Sequence, residues 1–186
     1  MNKTQSSSVK QQGFTQSITF KVTVAAVFAA LVFAVTSQIP PIPIPSTSGY
    51  FNIGETTIYV AALVFGPLVG VLAGGIGSAL SDIYLGYALF APGTLLIKGA
   101  EGLIVGFLNI HLRRYLSNLS LCATISVLVG GLEMVAGYFI YEQFIVGYAA
   151  LAEVPFNIVQ MLIGLIVAVP VMHAVYRVVP QLKSQF

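Results

Sequence analysis

Residues Gly49 to Glu101 read GYFNIGETTIYVAALVFGPLVGVLAGGIGSALSDIYLGYALFAPGTLLIKGAE. The stretch is apolar enough to enter a lipid bilayer, yet it carries four ionisable residues: Glu55, Asp82, Lys98 and Glu101. Because charge inside hydrocarbon is costly, ionisable groups in membrane segments usually serve a function. We therefore expect this stretch to form the wall of a small-molecule site that opens on one face of a membrane.

The composition of the whole chain is typical of an integral membrane protein. Of its 186 residues, 57% are hydrophobic and only 8% are charged, whereas about 25% of residues are charged in an average soluble domain. A spanning helix needs roughly 20 residues, so the length allows about six or seven crossings. We predict an all-α integral membrane protein: a compact six-transmembrane-helix bundle in the cell membrane, with both termini in the cytoplasm.

The predicted bundle occupies residues 18–180. Residues 1–17 are polar and are expected to form a disordered cytoplasmic tail, and residues 181–186 a second cytoplasmic tail. The apolar run after the first tail is too long for the core of a signal peptide, so it should remain as a helix. The six helices are predicted at Ile18–Ser37, Gly54–Phe65, Leu68–Tyr84, Gly93–Leu112, Leu119–Tyr141 and Glu153–Val178.

The charged residues divide unequally between the two membrane faces of this topology. Seven of the eight basic residues fall on the inner side, as the positive-inside rule requires, and Lys98 is the exception. All six acidic residues fall at or above mid-membrane on the outer side. The unusual chemistry is therefore expected in the outer half of the bundle.

A polar stripe descends one side of the last predicted helix. Glu153, Asn157, Gln160 and Gly164 share one face because three or four residues separate each from the next, and such a stripe must face the bundle or a water-filled cavity. With residues of other segments it is expected to form an outer pocket. The candidate binding residues are Tyr50, Phe51, Asn52, Glu55, Asp82, Tyr84, Lys98, Glu101, Glu133, Asn157 and Gln160.

Further aromatic walls from Tyr87, Phe90, Tyr138 and Tyr141 would suit a flat heterocycle. Two plainer interpretations stay open. Lys98 is also placed to neutralise an acidic residue as a structural ion pair, with Glu101 or Glu133 as its partner, and the tyrosines also fit the aromatic belt of a membrane protein.

Glycines follow one face of the third predicted helix. Gly66, Gly70 and Gly74 form two overlapping GxxxG units, and Ser78 and Asp82 continue the same line at spacing four. Close contact with another helix explains the glycines without any ligand. It does not explain Asp82.

The loop at residues 38–52 contains four prolines, Pro40, Pro41, Pro43 and Pro45. Proline lacks the backbone donor, so this segment cannot be helical and is expected to be an extended, polyproline-like loop. It serves either as a lid at the mouth of the pocket or as a connector.

The first predicted helix carries small residues in two rows at spacing four: Ala25 with Ala29, and Ala26 with Ala30 and Ala34. Aligned small residues let another helix approach closely. The rows serve either packing within the bundle or docking of a separate membrane subunit.

Several function classes are disfavoured by the sequence. The P-loop spacing is absent, so nucleotide hydrolysis is not expected, and no basic cluster larger than two adjacent arginines points to nucleic acid. His111 and His173 have no second ligand nearby, so neither a metal nor a cofactor is expected. Ser78 and His173 lie at different depths and should not meet, so an intramembrane hydrolase is the weaker class.

Two segments carry a resemblance to a known family. The first is N-x-G-E-T-x-x-Y-x-A-A-L-x-F-G-P-x-x-G-x-x-A-G-G-I-G-S-A-L-x-D at Asn52 to Asp82, and the second is APGTLLIKGAEGLIVGFL at Ala91 to Leu108. With them the whole chain resembles the substrate-binding S components of energy-coupling factor (ECF) vitamin transporters, most of all the riboflavin type.

This resemblance implies a high-affinity vitamin binder that works with a transmembrane T component and two cytoplasmic ATPases. It implies that the alanine rows of the first helix contact the T component and that the loop after it acts as a lid. The chain begins Met1-Asn2 rather than Met-His, which argues against a metal-ion substrate, and it lacks the tryptophans of thiamine binders. Riboflavin is the first choice, followed by hydroxymethylpyrimidine or a pyridoxine-like ring. The alternative of another class is an intramembrane enzyme or scaffold.

Overall fold

The computed structural model describes residues 17–44, 47 and 49–183. The tails predicted at residues 1–17 and 181–186 therefore lie almost wholly outside the described residues, except that Ser17 caps the first helix and residues 181–183 belong to a short final helix. The elements are α1 (Ile18–Gln38), β1 (Ile42–Ile44), β2 (Gly49–Phe51), α2 (Glu55–Phe65), α3 (Pro67–Leu85), α4 (Ala91–Leu112), α5 (Leu119–Gln143), a 3-10 helix (Gly147–Ala152), α6 (Val154–Val178) and α7 (Pro180–Lys183).

The six predicted helices are confirmed, with ends that differ by at most two residues. Local chemistry fixes several of these ends. Ser17 Oγ accepts a hydrogen bond from the Phe20 N–H at 3.1 Å, and Asn118 Oδ1 accepts one from the Leu121 N–H at 3.1 Å, so both helix starts have a side-chain cap. Between α2 and α3 the chain turns at Gly66, whose φ of 88° favours glycine.

Five helical segments of the described residues are long and apolar enough to cross a membrane: Ile18–Gln38, Pro67–Leu85, Ala91–Leu112, Leu119–Gln143 and Gly147–Val178. The remaining apolar helix, α2, has 11 residues and is about 16 Å long at the usual helical rise. Residues 58–64 of α2 are all buried. This short helix therefore lies in the interior of the bundle, surrounded by longer ones.

The proline-rich segment differs from its predicted form. Instead of an irregular extended loop, it contains a β-hairpin in which Ile42 pairs with Phe51, Pro43 with Tyr50, and Ile44 with Gly49. Proline is compatible with a two-stranded ribbon because each strand is an edge strand and one side of it needs no donor. The extended conformation was predicted correctly, but the pairing of the two strands was not.

The glycine-lined contact predicted for the third helix is confirmed, and its partner is α4. A Cβ added to Gly70 would collide with the Gly102 carbonyl group, and a Cβ added to Gly102 would collide with the Gly70 backbone. A Cβ on Gly74 would likewise meet the Lys98 carbonyl oxygen at 2.5 Å. This close packing of backbone on backbone fixes α4 against α3 and so brings Lys98 and Asp82 to the same cavity.

Candidate functional site

A polar cavity lies at one end of the bundle, beneath the β-hairpin. It is lined by residues from α1, from α3 to α6, from the hairpin and from the loops nearby: Thr36, Gly49, Tyr50, Asn52, Ser78, Asp82, Tyr87, Phe90, Thr94, Lys98, Tyr138, Glu142, Glu153, Asn157 and Gln160. Polar side chains and aromatic rings in one enclosed place are typical of sites for small polar molecules.

The cavity is narrow. The space that no atom occupies, including the part open to the outside, is about 470 Å³. Within it, the centre of a water-sized sphere can reach only about 40 Å³. That is room for roughly three water molecules. The remaining space is too narrow for a water-sized sphere. A vitamin-sized ligand therefore requires the hairpin or some of the lining side chains to move outward.

The floor of the cavity is a buried cluster of charges. Lys98 Nζ forms an ion pair with Glu55 Oε2 and lies 3.4 Å from Glu101 Oε2. Tyr59 Oη donates a hydrogen bond of 2.7 Å to Glu101 Oε1, and Gln160 Nε2 donates one of 2.9 Å to Glu55 Oε2. Because removing a charge from water is costly, each carboxylate here depends on these donors.

Lys98 therefore fits two of the interpretations made from the sequence, the structural ion pair and the cavity residue. It is a structural ion-pair partner, since Glu55 and Glu101 neutralise it, and it also lines the cavity. The predicted pairing with Glu101 is confirmed, but the shorter contact, with Glu55, was not predicted. Glu55 and Glu101 themselves lie beneath the cavity rather than on its surface.

The hairpin is fastened over the cavity by three side-chain contacts. Tyr50 Oη donates a hydrogen bond of 2.6 Å to Asp82 Oδ1, the Thr47 hydroxyl donates one to Glu153 Oε1, and Gln160 Oε1 accepts one of 3.0 Å from the Asn52 N–H. Burial and then the nearby Asp82 carboxyl group raise the pKa of the Tyr50 phenol. The phenol therefore stays protonated and remains a donor to Asp82.

Aromatic rings form one wall. The Tyr50 and Tyr87 rings lie 4.7 Å apart between centroids, and Phe90 follows at 6.5 Å from Tyr87. On the opposite side, Tyr138 Oη donates a hydrogen bond of 3.0 Å to Thr94 Oγ1, and its ring lies 5.4 Å from Lys98 Nζ. A flat ring entering the cavity would meet an aromatic face on either side.

Six of the candidate residues predicted from the sequence line the cavity: Tyr50, Asn52, Asp82, Lys98, Asn157 and Gln160. The predicted stripe on α6 is confirmed, because Glu153 lies on the same lining and Gly164 packs against the Tyr59 ring. Thus the polar face of α6 does turn inward.

Three candidates lie elsewhere, and their expected placement is corrected. Phe51 lies in an outer apolar groove with Pro155 and Phe156, because successive strand residues point to opposite faces and Tyr50 takes the inward position. Tyr84 is 64% exposed and packs against Phe33 at 5.4 Å between centroids. The third misplaced candidate is Glu133, which is not on the cavity lining.

The helical repeat explains the displacement of Tyr84 and Glu133. Tyr84 is two residues after Asp82, about 200° around the helix, so it cannot share the inward face. Glu133 is half-buried beside Gly137 and is not on the lining, since it lies about 140° around α5 from Tyr138.

Nine lining residues are not among the predicted binding residues. Four of them are expected on the aromatic walls or the polar stripe: Tyr87, Phe90, Tyr138 and Glu153. The other five are Thr36, Gly49, Ser78, Thr94 and Glu142. Ser78 carried a signal, because it continues the glycine line towards Asp82. Glu142 carried a weaker signal, because it lies four residues after Tyr138 and both residues line the cavity. Thr36 and Thr94 lie in apolar helices, where a single threonine does not stand out.

The alanine rows of α1 border a groove that is separate from the cavity. Ala25, Ala26, Ala29 and Ala30 form one side and apolar residues of α3 the other, enclosing about 720 Å³. Ala26 is exposed, whereas Ala25 is buried. Ala34 is not part of this lining, so the second row continues past the end of the groove.

Histidine does not contribute to the cavity. His173 Nε2 lies 2.7 Å from Ser120 Oγ, near the end of α6 opposite the cavity. The predicted separation of His173 from Ser78 is confirmed, because Ser78 lines the cavity. Within residues 17–44, 47 and 49–183, no cluster of three or more histidine, cysteine or acidic residues is arranged to hold a metal ion.

Comparison with known proteins relates this architecture to a family. A model of the family described as "ECF-type riboflavin transporter, S component" matches residues 16–177. The thiamine precursor transporter HmpT of Lactococcus lactis subsp. cremoris (strain MG1363) is 30% identical over 150 residues, which cover 80% of this chain and 82% of that protein.

A second relative, from Pyrococcus woesei, is described only as an uncharacterized protein in a gap 3' region. It is 42% identical over 134 residues, which cover 72% of this chain and 86% of that protein. The family match includes all the elements that form the cavity and the alanine groove. The chain therefore belongs to the family of S components of ECF-type riboflavin transporters.

Proposed function

We propose that this chain captures a vitamin or vitamin precursor in the cavity beneath the hairpin and passes it inward as part of an ECF importer. The chain is a membrane-embedded transporter subunit and not an enzyme, and its family works with a T component and ATPase subunits on vitamin-like substrates. The observation that supports the proposal is the narrow polar cavity, where residues of five helices and a hairpin converge on one small space.

The proposed topology has six crossings, with α2 as the short one. In this arrangement both termini lie in the cytoplasm, and the hairpin covers the cavity on the outer face. The distribution of charge supports it, because Arg113 and Arg114 at the end of α4 and Arg177 at the end of α6 then all face inward. The cavity is thereby open to substrate from outside the cell when the hairpin lifts.

Two substrates are supported by different observations. Riboflavin is favoured by the description of the family. A thiamine precursor such as hydroxymethylpyrimidine is favoured by the relative HmpT and by the small free volume of the cavity, because a single substituted ring needs far less rearrangement of the hairpin than a tricyclic flavin with its ribityl chain. A bound flavin would colour the purified protein yellow, and its visible absorbance separates the two.

The groove between α1 and α3 is the proposed docking surface for the T component. We expect Ala26→Leu combined with Ala30→Leu to abolish vitamin uptake in cells that supply the partner subunits, because the larger side chains fill the groove. Ligand binding to the purified variant should be unchanged, since the groove and the cavity share no lining residue.

The matched control is Val27→Leu, a small change at an exposed position of α1 outside the groove, which should leave uptake intact. Uptake by the alanine double variant at the parental rate would refute the docking assignment. Loss of ligand binding together with uptake would instead place the alanine rows in the packing of the bundle.

A further inference from the structure

Acidic groups outnumber basic groups on the cavity lining. Asp82, Glu142 and Glu153 all line the cavity, and Lys98 is the one lysine or arginine among the described lining residues. The charge of Lys98 is already shared between two carboxyl groups beneath the floor. The cavity therefore presents more acidic than basic side chains to whatever enters it.

Two of the three carboxyl groups already have a donor. Asp82 Oδ1 accepts the hydrogen bond from Tyr50 Oη, and Glu153 Oε1 accepts the one from Thr47. Both contacts belong to the closed hairpin. These two side chains therefore have a structural role when the cavity is empty.

Glu142 has no side-chain hydrogen bond among the described residues, whereas Asp82 and Glu153 each have one, although Asp82 Oδ2 is also without a partner. The side chain of Glu142 is buried, with 2% exposure of the residue, and its Oε2 has no hydrogen-bond partner among the described residues. Its acidic neighbour is Glu153, which is itself an acceptor and gives Glu142 no counter-charge. A buried carboxyl oxygen without a partner is costly, so the position is unfavourable unless a donor arrives from the cavity.

We propose that Glu142 is a specificity-determining residue of the cavity, and that it accepts N–H hydrogen bonds from the substrate, which is an amino-substituted pyrimidine. This inference rests on the proposed function and deepens it. The exocyclic amino group of an aminopyrimidine supplies the donor, and its flat ring would lie against the aromatic residues of the lining, such as Tyr50, Tyr87 and Tyr138, once the hairpin moves outward.

Riboflavin matches this lining less well. Its ring N–H lies between two carbonyl oxygens, so the edge that approaches a carboxylate brings two acceptors with one donor. An acceptor facing a carboxylate gains no hydrogen bond and leaves both groups unpaired. The unpartnered Glu142 oxygen therefore favours the amino edge over the flavin edge.

The test is a pair of ligands measured on the full chain in detergent by titration calorimetry. The first is 4-amino-5-hydroxymethyl-2-methylpyrimidine, and the second is the same compound with a 4-oxo group in place of the amino group. On the parental protein we expect the amino compound to bind at least about tenfold more tightly, the value of one hydrogen bond to a buried carboxyl group. Glu142→Gln should remove most of this preference.

Glu133→Gln is the matched control. Glu133 lies on the same helix and also has a buried oxygen without a partner among the described residues, but it is not on the lining. It should leave the preference unchanged. Thermal unfolding of both variants shows whether each is folded, and the comparison of the two ligands on the parental protein holds even if a variant is not.

Equal affinity for the two pyrimidines, or a preference that survives Glu142→Gln, would overturn the inference. Tight riboflavin binding that Glu142→Gln leaves unchanged would overturn it as well, while the proposed vitamin-capture function would stand. If the parental protein bound neither pyrimidine nor riboflavin nor any other B vitamin, the proposed function itself would fail.

Discussion

Lys98→Met is expected to destabilise the protein severely. It leaves the buried carboxyl groups of Glu55 and Glu101 without their cation, and breaking one side of a buried ion pair typically costs about 3–5 kcal/mol. The measurement is the thermal midpoint of unfolding of the purified protein in detergent, followed by near-ultraviolet circular dichroism.

Two controls make this prediction specific to the buried cluster. Lys98→Met combined with Glu55→Gln should recover part of the lost stability, because one uncompensated charge is removed together with its partner. Lys21→Met, at a partly exposed position of α1, should have little effect. A midpoint for Lys98→Met equal to that of the parental protein would show that the cluster contributes nothing to stability.

Gly102→Ala is expected to loosen the contact between α3 and α4. The added Cβ would collide with the backbone of Gly70, which cannot move aside as a flexible side chain would. Overpacking of this kind costs about 1–3 kcal/mol. The free energy of unfolding in a mixed-micelle denaturation series measures it, and the affinity for the vitamin should fall with it because α4 carries Lys98 and Thr94 into the cavity.

Gly99→Ala is the matched control on the same helix. The nearest atom to its added Cβ is at 3.5 Å, an ordinary contact with the Val71 side chain, so the variant should be as stable as the parental protein. If Gly99→Ala and Gly102→Ala lost equal stability, the effect would come from the loss of glycine itself and not from the close helix contact.

Much of the fold could be predicted from the lengths of the apolar runs and from the turn and cap signals that separate them. Each long apolar run ends at a turn or cap signal, such as Gly66-Pro67, and the structure places the helix ends within two residues of the predictions. The inward face of α6 was also readable, because Asn157 and Gln160 are polar residues at helical spacing in an otherwise apolar segment. These features are local and need no knowledge of neighbouring helices.

The features that were missed depend on register between elements. The contact between Glu55 and Lys98 joins residues 43 positions apart, and nothing local to either residue sets the height of α2 against α4. The hairpin depends in the same way on pairing between its two strands. Tyr84 and Phe51 are aromatic, as residues of a ligand pocket often are, but each lies on the outward side of its helix or strand.

The absence of Glu142 from the predicted binding residues has a related cause. Glu142 is an acidic residue in the last turn of α5, a type and position that are ordinarily solvated. The structure instead buries it between the cavity and Glu153. Burial of a helix end depends on what packs against it, and here that is the 3-10 helix and α6. Neither is visible from the sequence of α5.

The central claim is that the cavity beneath the hairpin binds a vitamin or vitamin precursor. The most direct measurement is an equilibrium titration of the purified protein with riboflavin, hydroxymethylpyrimidine, pyridoxine and thiamine, repeated on Asn157→Ala, which removes an amide from the lining. We predict micromolar or tighter binding of one compound by the parental protein and a loss of about tenfold or more in the variant. Parental affinity in folded Asn157→Ala, or no binding of any of these compounds to the parental protein, would contradict the claim.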